Sequence, residues 1–143
     1  MPIRCEIVSQ DRVVFKGDVD IVTLPGAEGE MGILPDHSPL LTILKFGIIS
    51  ARTGKDVVHF TVAGGVAEVQ PDQVTVLADA AENVEEIDLQ RAENARRRAE
   101  EVLQQKTSLD TDTFLAIQTS LRKSNLRLEA VRKYRRAKSQ TRE

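Results

Sequence analysis

The sequence predicts a mainly β lobe, a β-sandwich or flattened barrel over residues 1–85, followed by an antiparallel two-helix hairpin over residues 86–143. Three observations lead there. Up to Ala78 the apolar residues come in short runs, some alternating with period two, separated by turn residues. After Glu86 the apolar period changes to threes and fours, the signature of a helix face. The charge changes along the chain as well. Residues 1–85 hold 6 basic and 13 acidic residues, residues 86–120 hold 5 and 7, and residues 121–143 hold 9 and 2.

The elements follow in order. Residues 3–8 alternate as a strand, and residues 13–15 and 19–24 follow with Gly17 between them. Residues 24–42 hold Gly26, Gly29 and Gly32 at every third position with Pro25, Pro35 and Pro39 among them. Glycine permits positive φ and proline fixes φ near −65°, so this stretch is expected to be a rigid loop that turns several times and presents a surface. Residues 42–44 and 47–51 read as strands, and Thr53-Gly54-Lys55-Asp56 as a turn. Residues 57–63 continue to Gly64-Gly65, a bulge or sharp bend. Residues 66–70 and 74–78 form a hairpin around Pro71-Asp72-Gln73.

Asp88 is placed to cap a first helix that runs to about residue 105, with an apolar stripe at Ala92, Ala95, Ala99 and Val102. Asp110 or Asp112 caps a second helix to about residue 138, with a stripe at Phe114, Ile117, Leu121, Ser124, Leu128 and Val131. One seam of alanines facing a stripe that contains a serine buries little area, at about 25 cal/mol per Å². The hairpin is therefore expected to close only marginally and to be able to open.

Composition bounds the rest. A chain of 143 residues makes one ordinary domain or two small lobes. Aromatic residues are 3% and Trp is absent, so the core is aliphatic. No apolar run approaches the ~18 residues of a membrane span, and the first residues carry no signal or transit pattern. Cys5 is alone, which excludes an internal disulfide, suits a cytosol-facing compartment and reads as a small buried apolar residue.

No catalytic or metal constellation is visible. There are two His and one Cys, with no nucleophile elbow, zinc helix motif or phosphate-binding P-loop. The glycines are spaced G-x-x-G-x-x-G, and Glu28 and Glu30 would repel phosphate. His37 reads as an interface or structural hydrogen bonder and His59 as a plain sheet residue. In the helical part, Arg91 and Arg98 share one flank of the first helix, and Lys123 and Arg127 one flank of the second. Antiparallel closure would bring these four cations to one side, an arrangement that favours an anion such as a polyphosphate. The plainer reading is solvated charge or pairing with Glu93, Glu100 and Glu101. A nucleic-acid-binding module using the basic second helix is the alternative reading; scarce aromatics and an acidic first lobe oppose it.

Together the loop from Leu24 to Thr42, the run Gly64-Gly65-Val66-Ala67-Glu68-Val69, the run from Val74 to Glu82, and Ile87-Asp88-Leu89-Gln90-Arg91-Ala92 resemble the epsilon subunit family of the rotary, F-type ATP synthase. The resemblance covers nearly the whole chain. It implies a non-catalytic central-stalk subunit of a proton-translocating complex that requires no cofactor or metal. The sandwich lobe would bind the gamma subunit and the membrane rotor ring of c subunits, with Glu30 facing the ring and His37 nearer gamma. The helical lobe would be permissive when folded down. When extended among the alpha and beta catalytic subunits it would inhibit hydrolysis, with Arg122, Lys123, Arg127, Arg132 and Lys133 facing an acidic segment of beta. Some bacterial members hold ATP as a regulatory ligand in the folded form. The matching positions here are Glu82, Ile87, Asp88, Arg91, Ala92, Arg98, Lys123 and Arg127, where Lys123 departs from the family's arginine. The resemblance further implies a peripheral site on the cytoplasmic face of the bacterial plasma membrane, without insertion into the bilayer and without nucleic acid.

Overall fold

The computed structural model of the protein describes residues 1–105 and 109–135. The chain divides into two compact units, Met1–Glu85 and Glu86–Glu143.

The first unit is built from eight strands: β1 (Ile3–Val8), β2 (Val13–Val19), β3 (Ile21–Gly26), β4 (Gly29–Ile33), β5 (Leu40–Thr53), β6 (Asp56–Val69), β7 (Gln73–Ala78) and β8 (Ala81–Asn83). Their order is β2-β1-β7-β6-β5-β3-β4, with β8 added to the first half of β6. Every pair is antiparallel except β1 with β7. The sheet curls over itself into the flattened sandwich expected from the sequence. In a flat sheet β2 and β6 would stand about 14 Å apart, three strand spacings. Yet the rings of Phe15 on β2 and Phe60 on β6 meet with centroids 5.3 Å apart. The inward side of the curl is one aliphatic cluster. Ile3, Cys5 and Ile7 from β1, Val22 and Leu24 from β3, Phe60 and Val62 from β6, and Val74 and Val76 from β7 are all fully buried. The period-two alternation of β1 and β7 follows directly from this one-sided burial.

Three sequence expectations change. The glycine-rich stretch is only partly a loop: β3 and β4 form a hairpin in register from Val22↔Ile33 to Gly26↔Gly29, turning at Ala27-Glu28. Gly29 takes φ +145, which closes that turn. The expected strands at 42–44 and 47–51 are one strand, because β5 pairs with β6 from Leu40↔Val69 to Thr53↔Asp56. Finally β8, three residues long, is too short to carry a periodicity and was not expected.

Gly64-Gly65 is the bend foreseen in β6. Gly65 has φ +142, and a Cβ there would lie 2.4 Å from the Leu77 carbonyl oxygen. β6 bends at this point, so that its first half pairs with β8 and its second half with β7.

The second unit holds α1 (Leu89–Gln104) and α2 (Thr111–Ala130), followed by a π-helical turn, Val131–Arg135. Both caps are aspartates in extended conformation. Asp88 Oδ1 accepts the Arg91 N–H at 3.1 Å, and Asp110 Oδ1 accepts the Thr113 N–H at 2.7 Å. Each supplies a partner for an N–H that the helix itself leaves unbonded. The helices are antiparallel neighbours whose buried positions are Ala92 and Ala99 on α1 and Ser124 and Ala130 on α2. The predicted stripe is not buried along its whole length. Phe114 stands 41% exposed. The spacing of 3 and 4 averages 3.5 residues, and a straight helix drifts about 20° per heptad against it. Phe114 is thereby carried to the edge of the seam that Ser124 centres. The segment 136–138 of the predicted second helix lies outside the described residues.

Candidate functional site

In the first unit the hairpin of β3 and β4 positions Glu30, which pairs with Pro25 across the hairpin and is exposed. Between this hairpin and residues Leu40–Ile43 lies an open groove of about 520 Å³. The following segment is pinned by its backbone: Asp36, at φ 65, donates its N–H to the Pro71 carbonyl at 2.8 Å. Beside it His37 Nδ1 lies 2.7 Å from the Ser38 carbonyl, which can only accept, so Nδ1 is the donor. His59 pairs with Ser50 across β5 and β6, and its Nδ1 lies 2.9 Å from the Ser50 hydroxyl.

One feature of this unit escaped the sequence reading. Ile43, Val66 and Leu77 are register neighbours on β5, β6 and β7 and stand 67%, 37% and 59% exposed, with Leu41 beside them at 71%. They form an apolar row on the outer face of the sheet, where polar residues would ordinarily alternate. The signal was present in Leu40-Leu41-Thr42-Ile43-Leu44, whose apolar residues fall on both faces.

Glu82 also belongs to the first unit. It pairs with Thr61 across β8 and β6, and its carbonyl accepts the Thr61 hydroxyl at 3.4 Å. The other seven residues of the implied nucleotide motif lie in the second unit. Asp88 is committed to capping α1. Ala92 is 1% exposed in the seam, and Ile87 is 4% exposed. Arg91 and Arg98 are exposed, the latter with Nε 3.4 Å from the Asn94 carbonyl, while Lys123 and Arg127 are half-buried.

Their sides follow from the 3.6-residue turn, roughly 100° per residue. Leu89, Glu93 and Arg96 of α1 and Asn125, Leu128 and Glu129 of α2 line a common groove of about 820 Å³, which marks one side of the hairpin. Arg91 and Arg98 fall on the other flank of α1, and Lys123 and Arg127 on the other flank of α2. The four cations therefore share the side away from the groove. Arg96 is excluded from this set and is held by Glu100 at 3.1 Å on both carboxylate oxygens. The five residues of the implied inhibitory helix do not form one face. Arg122 lines a second groove, of about 420 Å³, with Leu103 and Leu115. Arg132 lines the first groove, and Lys133 is exposed, its Nζ 5.4 Å from the Tyr134 ring centre. Lys123 and Arg127 point the opposite way. Among the described residues no group of three or more His, Cys, Asp or Glu could hold a metal, and no helix is long and apolar enough to cross a membrane.

Comparison with known proteins agrees along the chain. Residues 2–84 match the family model described as the β-sandwich domain of the ATP synthase delta/epsilon chain, and residues 85–132 match its long α-helix domain. An ATP synthase epsilon chain of Dehalococcoides mccartyi is 44% identical over 136 residues, covering 94% of this chain and 95% of the relative. That of Pelotomaculum thermopropionicum is 52% identical over 104 residues, 73% of this chain and 78% of the relative. Among solved structures, a chain of the Euglena gracilis mitochondrial ATP synthase, in its OSCP/F1/c-ring structure, matches with TM-score 0.68 and 25% identity, covering 84% of this chain and 75% of that one. A chain of the central stalk and c-ring of the Tetrahymena thermophila mitochondrial enzyme shares the fold, with TM-score 0.61 at 16% identity over 92% of this chain and 97% of that one. On the match of both units and the identity to these epsilon chains, the protein belongs to the ATP synthase delta/epsilon chain family, as a non-catalytic chain of the epsilon type.

Proposed function

We propose that the protein couples the catalytic head of an F-type ATP synthase to its membrane rotor ring and brakes ATP hydrolysis through its helical hairpin. The setting would be the cytoplasmic face of a bacterial plasma membrane. The observation that carries the brake is the seam itself. Ala92, Ala99, Ser124 and Ala130 are the buried positions of α1 and α2, and small side chains hold two helices together weakly. Such an element has two states separated by a small free energy, and a ligand or partner that prefers one of them shifts the population.

The four cations on one flank supply the ligand preference. Arg91, Arg98, Lys123 and Arg127 come from both helices, so a polyphosphate held by all four favours the closed hairpin. ATP is thus a regulatory ligand here and is not turned over. Lys123 contributes a point charge where an arginine would give a two-pronged contact. For the coupling role, the stiff curled sheet offers Glu30 and His37 beside the pinned segment around Asp36, and the apolar row Ile43, Val66 and Leu77 offers the area for gamma.

Calorimetric titration of the isolated chain with MgATP tests the sensor. Binding in the micromolar range that is lost in Arg91→Ala and weakened in Arg98→Ala is the expected result. If the parent takes up no ATP up to millimolar concentration, or both variants bind as the parent does, the hairpin is not a nucleotide sensor. In that case regulation rests on contacts with gamma and beta alone.

A further inference from the structure

We propose that Arg135 is a latch that holds the hairpin shut at its open end and positions the start of α1. The first intrahelical acceptor of α1 is the Asp88 carbonyl, which takes the Ala92 N–H at 3.0 Å. The Ile87 carbonyl therefore lies outside the helix ladder, in a residue only 4% exposed. A buried carbonyl needs a donor. Arg135 Nη2 supplies it at 2.7 Å, from 48 residues further along the chain. This is the short distance of a charge-assisted bond.

Further observations point the same way. The latch residue sits at the end of the π-helical turn Val131–Arg135, a rare geometry that concentrates at functional positions. The Val131 N–H keeps the regular bond to the Arg127 carbonyl and adds one to that of Leu128, and the turn that follows delivers Arg135. That end of α2 is seated: Ala130 is 2% and Val131 8% exposed.

The consequence is a link between the two ends of the hairpin. Ile87 precedes Asp88, and Asp88 fixes the Arg91 N–H. Releasing Arg135 loosens the turn on which Arg91 stands, and with it the cationic flank. The inference deepens the two-state reading of the hairpin and rests on it.

Amide hydrogen exchange on the full chain, without nucleotide, tests the latch. A hydrogen bond to a charged group shifts an equilibrium by roughly tenfold or more. In Arg135→Ala, amides of α1 from Arg91 to Ala99 are expected to exchange about tenfold faster, while those of Val62 and Val74 in the sandwich stay as in the parent. Arg97→Ala removes the same charge from an exposed position of α1 and is expected to leave these rates unchanged. Equal rates in Arg135→Ala and the parent overturn the latch, as does equal acceleration by both variants. Repeating the exchange with MgATP separates the two proposals. Protection of the parent's hairpin by MgATP without acceleration in Arg135→Ala leaves the sensor and removes the latch. Acceleration without protection does the reverse.

Discussion

Single residues here do more than fill space, and their roles are set by a few ångströms. Asp110 is exposed, and the Thr113 N–H that it accepts holds its carboxyl below the usual aspartate value. A carboxyl lowered by folding contributes stability above its unfolded pKa, and that contribution is lost as pH falls through the lowered value. The first turn of α2 is thus expected to loosen in acid, with faster Thr113 amide exchange in NMR, and Asp110→Asn removes the pH dependence. Cys5 behaves in the opposite sense. Burial, helped by Glu6, pushes its thiol up to about 12 from 9.0. Its thiolate is disfavoured in the fold, so stability is full below pH ~9 and declines between there and ~12. An alkylating reagent at pH 8 is expected to leave Cys5 untouched until the chain is unfolded. Among the glycines, Gly65 would bring an added Cβ closest to its neighbours. In Gly65→Ala the new methyl meets the Leu77 carbonyl in a backbone conformation that L-residues avoid, at a cost of about 1–3 kcal/mol from backbone strain alone, read as a lower unfolding midpoint in urea.

At the level of elements, the legibility of the fold depended on length. β1 and β7 alternate over six residues with one face on the core, and the sequence displays that alternation plainly. β5 and β6, 14 residues each, hide their continuity because both faces carry apolar residues and Gly64-Gly65 interrupts the pattern. β8 has three residues and no readable period. The helix caps Asp88 and Asp110 were visible because capping is a local chemistry. Phe114 was misassigned to the seam because a 3.5-residue pattern drifts on a 3.6-residue helix. Ser124 marks the seam's weak point: its hydroxyl is 3.0 Å from the Ser120 carbonyl, and the residue is 2% exposed. Ser124→Ala keeps the shape, has better helix propensity by about 0.5 kcal/mol, and is expected to slow amide exchange along α2 by about twofold.

For the molecule as a whole, the chain's division at Glu85 predicts that residues 1–85 fold alone, with a sandwich amide spectrum that overlays that of the full chain. Of the candidate sites, the cationic flank was readable from spacing alone, since helical periodicity fixes which side each residue takes. The separation of Arg122, Arg132 and Lys133 from Lys123 and Arg127 follows from the same periodicity. The row Ile43, Val66 and Leu77 was readable only in its β5 part, where apolar residues fall on both faces, because the rest depends on register between three strands, which no local pattern records. If that row is where gamma docks, the double variant Ile43→Asp with Leu77→Asp leaves the unfolding midpoint nearly unchanged and abolishes co-purification with gamma. Retained co-purification removes that role from the row.

The single parallel pairing, β1 with β7, carries a consequence for biogenesis. Of the eight strands β1 is made before the others and waits longest for its second neighbour, since Arg4–Val8 pair with Gln73–Leu77. Long-range pairings of this kind slow folding. Until β7 emerges, the hairpin of β1 and β2 carries a bare edge able to pair with other chains. The nascent sandwich is therefore exposed to misassociation through most of its synthesis, and a pause or truncation before residue 73 leaves a chain that cannot bury Ile3, Cys5 and Ile7.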